Sequence, residues 1–171
     1  MKSETLKRAQ VKPAIKFLVP FLHDLKVRGV AVIKPTSFFV YGTLMRGETR
    51  EPLWPHPPLR ICAATTCGRL YDLGSYPALI DGKDLVRGEL WEVEKDHAEK
   101  TWMALDKIEC FDQGCEDLYI RRIVTCRTLE GETRSAFAYF FAESDSLKEA
   151  ERIFPDQSGY CCWSSHGRDG C

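Results

Sequence analysis

Residues 39–47 read Phe39-Val40-Tyr41-Gly42-Thr43-Leu44-Met45-Arg46-Gly47, and this stretch carries the strongest indication of the fold. The run from Phe38 to Tyr41 favours a buried strand that ends at Gly42 and leads into a tight loop. Successive N–H groups in that loop would form an anion-binding nest, and Gly42 would let a ligand approach the backbone closely. A turn without a ligand is the alternative. The glycine spacing matches neither a Walker loop nor a dinucleotide-binding loop.

A helix is predicted over residues 95–109, where the side chains recur at about 100° per residue. The apolar arc contains Ala98, Trp102, Leu105 and Ile108, and the polar side chains outside it are Lys95, Glu99, Lys100, Asp106 and Lys107. Glu109 falls inside the apolar arc. Burial raises the pKa of a carboxyl group, so Glu109 is a candidate general base. The alternative is a helix-end glutamate that turns out to solvent.

Several strands and few helices are predicted from the rest of the chain, in an order that favours a one-domain α+β fold. Strands are expected at 61–66, 69–73 and 84–93, separated by Gly68, Gly74 and Gly82. Segments 118–129 and 134–142 alternate as a hairpin whose turn contains Glu130-Gly131. Residues 50–60 hold four prolines and predict a surface loop, and residues 146–149 predict a short helix. We expect a helical extension at 1–35, the domain at 36–155 and an irregular tail at 156–171.

The composition excludes several classes of function. The chain has 171 residues, 44% hydrophobic and 29% charged, with a net charge of -1, which is typical of a soluble globular protein and unlike a nucleic-acid or membrane binder. Eight cysteines without a secretory signal predict mostly free thiols in the cytoplasm. A zinc site at Cys161, Cys162, His166 and Cys171 is a further reading, but adjacent cysteines lack the usual spacing, so no metal is expected.

Five motifs follow one another between residues 38 and 142. They are Val40-Tyr41-Gly42-Thr43-Leu44 with Arg46 and Gly47 behind it, Gly74-Ser75-Tyr76-Pro77-Ala78-Leu79, Val86-Arg87-Gly88-Glu89-Leu90-Trp91-Glu92-Val93, Leu105-Asp106-Lys107-Ile108-Glu109 and Tyr119-Ile120-Arg121. In this order they resemble the γ-glutamylcyclotransferase-like (AIG2-like) family, nearest to its γ-glutamylamine cyclotransferases. The resemblance implies a compact mixed β-barrel with flanking helices and a pocket at one rim. It places the family's catalytic glutamate at Glu109, and Cys110 stands where many relatives carry a glycine or another small residue.

The resemblance also implies a reaction, the cyclisation of a γ-glutamyl group to 5-oxoproline with release of an amine or amino acid. Glu109 would move the protons, and the N–H groups of Gly42, Thr43 and Leu44 would bind the substrate carboxylate and the oxyanion. The remaining pocket residues would be Tyr41, Tyr76 and Tyr119. The only partner expected is a small γ-glutamyl compound, and no metal or organic cofactor is required. The alternative is a module of the same fold that binds an acidic metabolite without turnover. Arg121 is predicted to be an exposed strand residue, although it could pair with a carboxylate.

Overall fold

The computed structural model of the chain describes residues 34–114 and 116–165. The predicted N-terminal extension therefore lies outside the described residues except for Lys34 and Pro35. His166 and Cys171 of the candidate zinc site also lie outside them.

Seven strands and one α-helix make up the described part of the chain. The strands are β1 (Ser37–Val40), β2 (Arg60–Asp72), β3 (Pro77–Glu92), β4 (Tyr119–Thr128), β5 (Thr133–Phe141), β6 (Glu151–Ile153) and β7 (Tyr160–Cys161). The helix α1 spans Lys95–Ile108, and two short 3-10 turns occupy Glu51–Leu53 and Ser144–Glu149. The predicted helix at 95–109 is thus confirmed to within one residue.

A closed barrel of five strands forms the body of the structure. The strands are ordered β2-β4-β5-β1-β3, and β3 pairs back onto β2 to close the ring. Strand β1 runs antiparallel to β3 and parallel to β5, where Phe38 lies opposite Phe137, so the barrel is mixed. The predicted α+β mixed barrel is therefore confirmed. Closure removes the free edges that a sheet of this length would otherwise expose.

Strands β2 and β3 are longer than the sequence predicts. The predicted strands 61–66 and 69–73 join into one strand, with a bulge between Gly68 and Arg69. A Cβ atom at Gly82 would come within 2.6 Å of the carbonyl carbon of Gly68, so the two glycines allow these bent strands to approach closely. Gly68 and Gly82 thus lie inside continuous strands, whereas Gly74 separates β2 from β3, as predicted. The β4–β5 hairpin is confirmed, and its turn places Gly131 at a φ of 93°.

Two hydrophobic clusters lie on opposite faces of the barrel wall. Phe39 and Tyr41 belong to the cluster inside the barrel, whereas Phe38 and Val40 belong to the cluster that includes Leu105 of α1. Because side chains alternate along a strand, β1 contributes to both clusters, and all four of its residues are buried. This strand leads directly into the glycine loop, so the loop begins at a rigid point.

The last turn of α1 is fixed to the barrel by a buried polar network. Asp106 is 7% exposed, accepts a hydrogen bond of 2.7 Å from the Tyr139 hydroxyl and forms a 2.6 Å ion pair with Arg121. The Arg121 guanidinium also stacks 4.2 Å above the centre of the Trp102 ring. The placement of Asp106 outside the packed face was therefore wrong, and so was the reading of Arg121 as an exposed residue. An aspartate can be buried here because β4 and β5 supply its partners.

Part of the predicted irregular tail packs against the barrel. Residues Tyr160–Cys161 form β7 beside β3, and Trp163 is buried in the interior cluster. Ser165 donates its N–H and its hydroxyl to the carboxylate of Glu48. Residues 160–165 are therefore ordered against the sheet and the loop after β1.

Three further features concern the described part of the chain, namely membrane-spanning helices, metal ligands and thiols. No helix among them has the length and apolarity needed to cross a bilayer. Nor do residues 34–114 and 116–165 contain three or more His, Cys, Asp or Glu side chains grouped to hold a metal ion. Within the described ranges, Cys62, Cys67, Cys110, Cys126 and Cys161 are free thiols.

The C-terminus of α1 closes with a residue in the left-handed conformation. Cys110 has a φ of 51°, its N–H donates to the carbonyl of Lys107, and the N–H of Phe111 donates to that of Asp106. These two bonds form a Schellman cap, in which the left-handed position is usually a glycine. A side chain there costs about 1–2 kcal/mol.

We predict that Cys110→Gly raises the free energy of unfolding by about 0.5–1 kcal/mol, because it removes the strain but adds freedom to the unfolded chain. Cys110 is exposed, so no packing is lost. Urea denaturation of both proteins measures the change. Cys110→Ala keeps the Cβ atom and is the control, expected to match the parent; an equal gain in both variants would assign the effect to the thiol instead.

Candidate active site

A pocket opens at one rim of the barrel, between the loop after β1, the first residue of β3, the start of β4 and the end of α1. Its empty space is about 360 Å³, including the open mouth. The residues that line it are Phe39, Val40, Tyr41, Gly42, Thr43, Leu44, Arg50, Tyr76, Pro77, Glu109, Tyr119 and Tyr139. Every site residue predicted from the sequence is in this set.

The loop after β1 is held through its carbonyl groups. The carbonyl of Gly42 accepts from the Met45 N–H at 2.9 Å, and that of Thr43 accepts from the Arg50 N–H at 2.8 Å. The carbonyl of Leu44 accepts from the Trp54 indole at 3.0 Å. In a trans peptide the next N–H points away from the carbonyl, so the bonds to the carbonyls of Gly42 and Thr43 also set the direction of the N–H groups of Thr43 and Leu44. Within the described part of the chain, the N–H groups of Gly42, Thr43 and Leu44 have no recorded acceptor.

Gly42 is required by packing against β3. A Cβ atom at this position would lie 2.5 Å from Cγ and 2.7 Å from Cδ of Pro77. The sequence suggested instead that Gly42 leaves room for a ligand. The structure gives a different reason, because the Pro77 ring occupies the space beside the glycine and holds the loop against the start of β3.

Tyrosine rings form much of the pocket wall, and three of their hydroxyl groups are already hydrogen-bonded. Tyr41 donates to the carbonyl of Tyr139 at 2.6 Å, and Tyr119 donates to the carbonyl of Pro77 at 2.7 Å. Tyr139 donates to Asp106, as described above. Burial raises the pKa of all three phenols, so they stay neutral at physiological pH. They therefore shape the cavity and brace its strands, and Tyr76 packs edge-on against Tyr119.

Glu109 is the C-cap residue of α1 and brings the only carboxylate into the pocket lining described here. It is 7% exposed, and desolvation raises its pKa to about 7. The guanidinium of Arg50, whose Nη1 lies 3.9 Å from Oε1 of Glu109, acts in the opposite direction and lowers this pKa. At neutral pH the carboxyl group is therefore present in both forms, as an acid/base group requires.

Sequence reasoning missed two polar residues of the pocket, namely Arg50 and Tyr139. Arg50 stands in the proline-rich segment that predicted a surface loop. Tyr139 belongs to a strand whose hairpin was predicted, but alternation alone gives neither its register nor the direction of its side chain toward the pocket. Pro77, part of the motif at 74–79, is the first residue of β3.

The geometry combines three features that suit an acyl transfer. One pocket is lined by a carboxyl group that titrates near neutrality, by largely aromatic side chains and by the residues whose N–H groups lack a protein acceptor within the described chain. Such a carboxyl group can move a proton, N–H groups can stabilise a developing oxyanion, and an aromatic wall can exclude water.

Comparison with known proteins agrees with this geometry. The family model described as "Gamma-glutamyl cyclotransferase, AIG2-like" matches residues 38–164. The chain belongs to this family. It is accordingly an enzyme of the γ-glutamyl cyclotransferase type.

A curated relative supports the family assignment. The gamma-L-glutamyl-butirosin B gamma-glutamyl cyclotransferase of Niallia circulans is 33% identical over 128 residues, which cover 72% of this chain and 76% of the relative.

Solved structures add weaker similarities. YkqA from Bacillus subtilis shares 25% identity at a TM-score of 0.46, over 63% of this chain and 36% of that protein. A solved gamma-glutamyl cyclotransferase shares 18% identity at a TM-score of 0.46, over 74% of each chain. Because these superpositions are partial, membership of the γ-glutamyl cyclotransferase family rests on the sequence matches.

We predict that Glu109→Gln stabilises the protein at alkaline pH. The folded pKa of about 7 lies above the ordinary glutamate pKa of 4.5, so the folded state holds this proton more tightly. The stabilisation from protonated Glu109 is full below pH 4.5 and is lost as the pH rises through 7. The neutral glutamine should raise the free energy of unfolding at pH 8 by up to about 3 kcal/mol and have little effect at pH 4.5.

Chemical denaturation at the two pH values measures this difference. Glu99→Gln, an exposed glutamate of the same helix, is the matched control and should change neither value. An equal effect of Glu109→Gln at both pH values would contradict the desolvated state of this carboxyl group.

Proposed function

We propose that this chain converts a γ-glutamyl amine or γ-glutamyl amino acid to 5-oxoproline and a free amine. Glu109 serves as the general acid/base, and the N–H groups of Gly42, Thr43 and Leu44 bind the negatively charged oxygen atoms of the substrate or the oxyanion. The proposal rests on one observation, a buried carboxyl group with a pKa near 7 that shares a pocket with those N–H groups. The name of the Niallia circulans relative, which specifies a γ-glutamyl derivative, supports the substrate class.

The reaction begins with proton transfer to Glu109. The carboxylate accepts a proton from the substrate's α-ammonium group, and the resulting amine attacks the γ-carbonyl carbon to form a five-membered ring. The electron pair of the carbonyl moves to its oxygen, where the loop N–H groups stabilise the negative charge. When the carbonyl reforms, the bond to the leaving nitrogen breaks. Both protons lost by the ring nitrogen end on the leaving amine, so the reaction consumes no water.

The pocket walls contribute by restricting the substrate. Ring closure requires the glutamyl chain to bend until its nitrogen faces its own γ-carbonyl group. The tyrosines that line the cavity are braced by backbone and carboxylate acceptors, so they form a rigid boundary. Such a boundary favours the bent conformer over extended ones and thereby lowers the entropy cost of cyclisation.

We predict that Glu109→Gln lowers 5-oxoproline release by about 10²–10⁴-fold, because the amide cannot accept or return the proton. The assay offers γ-glutamyl amino acids, γ-glutamyl amines and γ-glutamyl-lysine, and quantifies 5-oxoproline by mass spectrometry. Glu99→Gln is the control and should retain parental turnover. Undiminished activity in Glu109→Gln would remove Glu109 from the mechanism. Binding of 5-oxoproline without turnover of any compound by the parent protein would favour the non-catalytic module.

We further predict that kcat/KM of the parent enzyme rises with pH to a plateau, with an apparent pKa of about 7 on the acid side. The base must be ionised to accept the proton, and the free-enzyme profile reports its pKa. Initial rates at low substrate concentration from pH 5 to pH 9 measure the profile. A flat profile across pH 6 to 8 would be inconsistent with Glu109 as the base.

A further inference from the structure

Charge in the pocket is restricted to two opposed side chains. Among the described residues that line the cavity, Glu109 is acidic and Arg50 is basic. The distance of 3.9 Å between Arg50 Nη1 and Glu109 Oε1 is within ion-pair range but too long for a hydrogen bond. Within residues 34–114 and 116–165, no hydrogen bond of the Arg50 guanidinium is recorded, so its donors remain available to a ligand.

The position of Arg50 is fixed relative to the glycine loop. Its backbone N–H donates to the carbonyl of Thr43, and its own carbonyl accepts from the N–H of Leu53, which closes a short 3-10 turn. Its side chain is 33% exposed, so the guanidinium reaches from the mouth of the pocket toward Glu109. The cation is therefore held at the entrance by the same loop that supplies the N–H groups.

The chemistry of the substrate calls for a cation at this distance from Glu109. In a γ-glutamyl compound the α-ammonium and α-carboxylate groups are attached to the same carbon atom. A pose that places the nitrogen at Glu109 also brings the substrate carboxylate close to the ionised glutamate, where the two negative charges repel each other. A guanidinium beside Glu109 offsets this repulsion and can bind a carboxylate through two parallel hydrogen bonds.

If Arg50 binds the α-carboxylate, the loop N–H groups are available for a different part of the substrate. The loop N–H groups are neutral dipoles, and they are needed at the γ-carbonyl oxygen when negative charge develops there. If they held the α-carboxylate instead, the oxyanion would have to be stabilised by a side chain of the lining, such as Arg50, which stands at the mouth of the pocket.

We propose that Arg50 is the specificity-determining residue that binds the substrate's α-carboxylate, leaving the N–H groups of Thr43 and Leu44 to the oxyanion. This inference rests on the proposed cyclotransferase function. It restricts the substrates to γ-glutamyl compounds whose α-carboxylate is free, and it excludes those in which that group is an amide or ester.

The test compares a γ-glutamyl alkylamine with its α-carboxamide analogue. We expect the parent enzyme to prefer the free carboxylate by about 10- to 100-fold in kcat/KM, the range for hydrogen bonds to a charged group. Rates are compared at pH 9, above the pKa of Glu109, because loss of the Arg50 charge raises that pKa. In Arg50→Gln the preference should disappear, mainly through a higher KM for the carboxylate substrate, while the rate with the carboxamide falls much less. A purely structural role of Arg50 would lower both rates together.

Two further variants make the comparison specific. Arg46→Gln removes a neighbouring arginine of the same loop that pairs with Glu89 and does not line this pocket, so the preference should persist and rates should change by less than about fivefold. Arg50→Lys keeps the charge but loses the bidentate fork, so its KM for the carboxylate substrate should lie between those of the parent and Arg50→Gln. Circular dichroism checks the folding of each protein.

The outcomes separate the two proposals. If the parent turns over the substrate but shows no preference for the free carboxylate over the carboxamide, the role of Arg50 is overturned and the cyclotransferase function stands. The same holds if Arg50→Gln keeps the preference of the parent. No turnover of either compound by the parent contradicts the cyclotransferase function and this inference with it. If Arg50→Gln does not fold, an unchanged KM of Arg50→Lys for the carboxylate substrate overturns the inference.

Discussion

Removing the Glu109 carboxylate from water is the physical constraint on which the site depends. The side chain is 9% exposed, and its partner within the described residues is an arginine too distant to form a hydrogen bond. A carboxyl group in this position loses solvation that nothing fully replaces, so its pKa rises to about 7. The helix end must therefore be held firmly, because a small rotation would return Glu109 to solvent.

Neighbouring groups that take no part in the proposed proton transfer hold the end of α1 in place. Asp106 ties the last turn of α1 to the two strands of the hairpin through Tyr139 and Arg121. The Schellman cap then turns the chain away immediately after Glu109, with Cys110 in a left-handed conformation that a glycine would adopt more readily. Both features are locally unfavourable, because one buries an aspartate and the other strains the backbone. Such unfavourable features are common where a protein positions a functional group.

On the opposite side of the cavity, the hydrogen-bond donors of the loop after β1 are backbone N–H groups. The loop after β1 has its carbonyl groups engaged by the chain itself, which leaves a row of N–H groups oriented before any substrate arrives. Pro77 and the indole of Trp54 hold that loop in place, and Trp54 in turn stacks on Trp91 of β3. Donors arranged in advance need no reorganisation when negative charge develops, which is the main benefit of an oxyanion site. The stable barrel thus holds the loop N–H groups in an arrangement that would be unfavourable in isolation.

Features set by local pattern could be predicted from the sequence, and those set by distant contacts could not. The strand that ends at Gly42, the period of α1 that directs Glu109 inward and the turn at Gly131 all follow from neighbouring residues. By contrast, the burial of Asp106 depends on Tyr139, 33 positions away, and the order of the tail depends on a contact between Glu48 and Ser165, 117 positions apart. The sequence alone therefore predicted the family, the barrel and seven residues that line one pocket. Only the tertiary structure placed Arg50 opposite Glu109 and gave Gly42 its packing role, because both follow from how the closed barrel brings separate segments of the chain together.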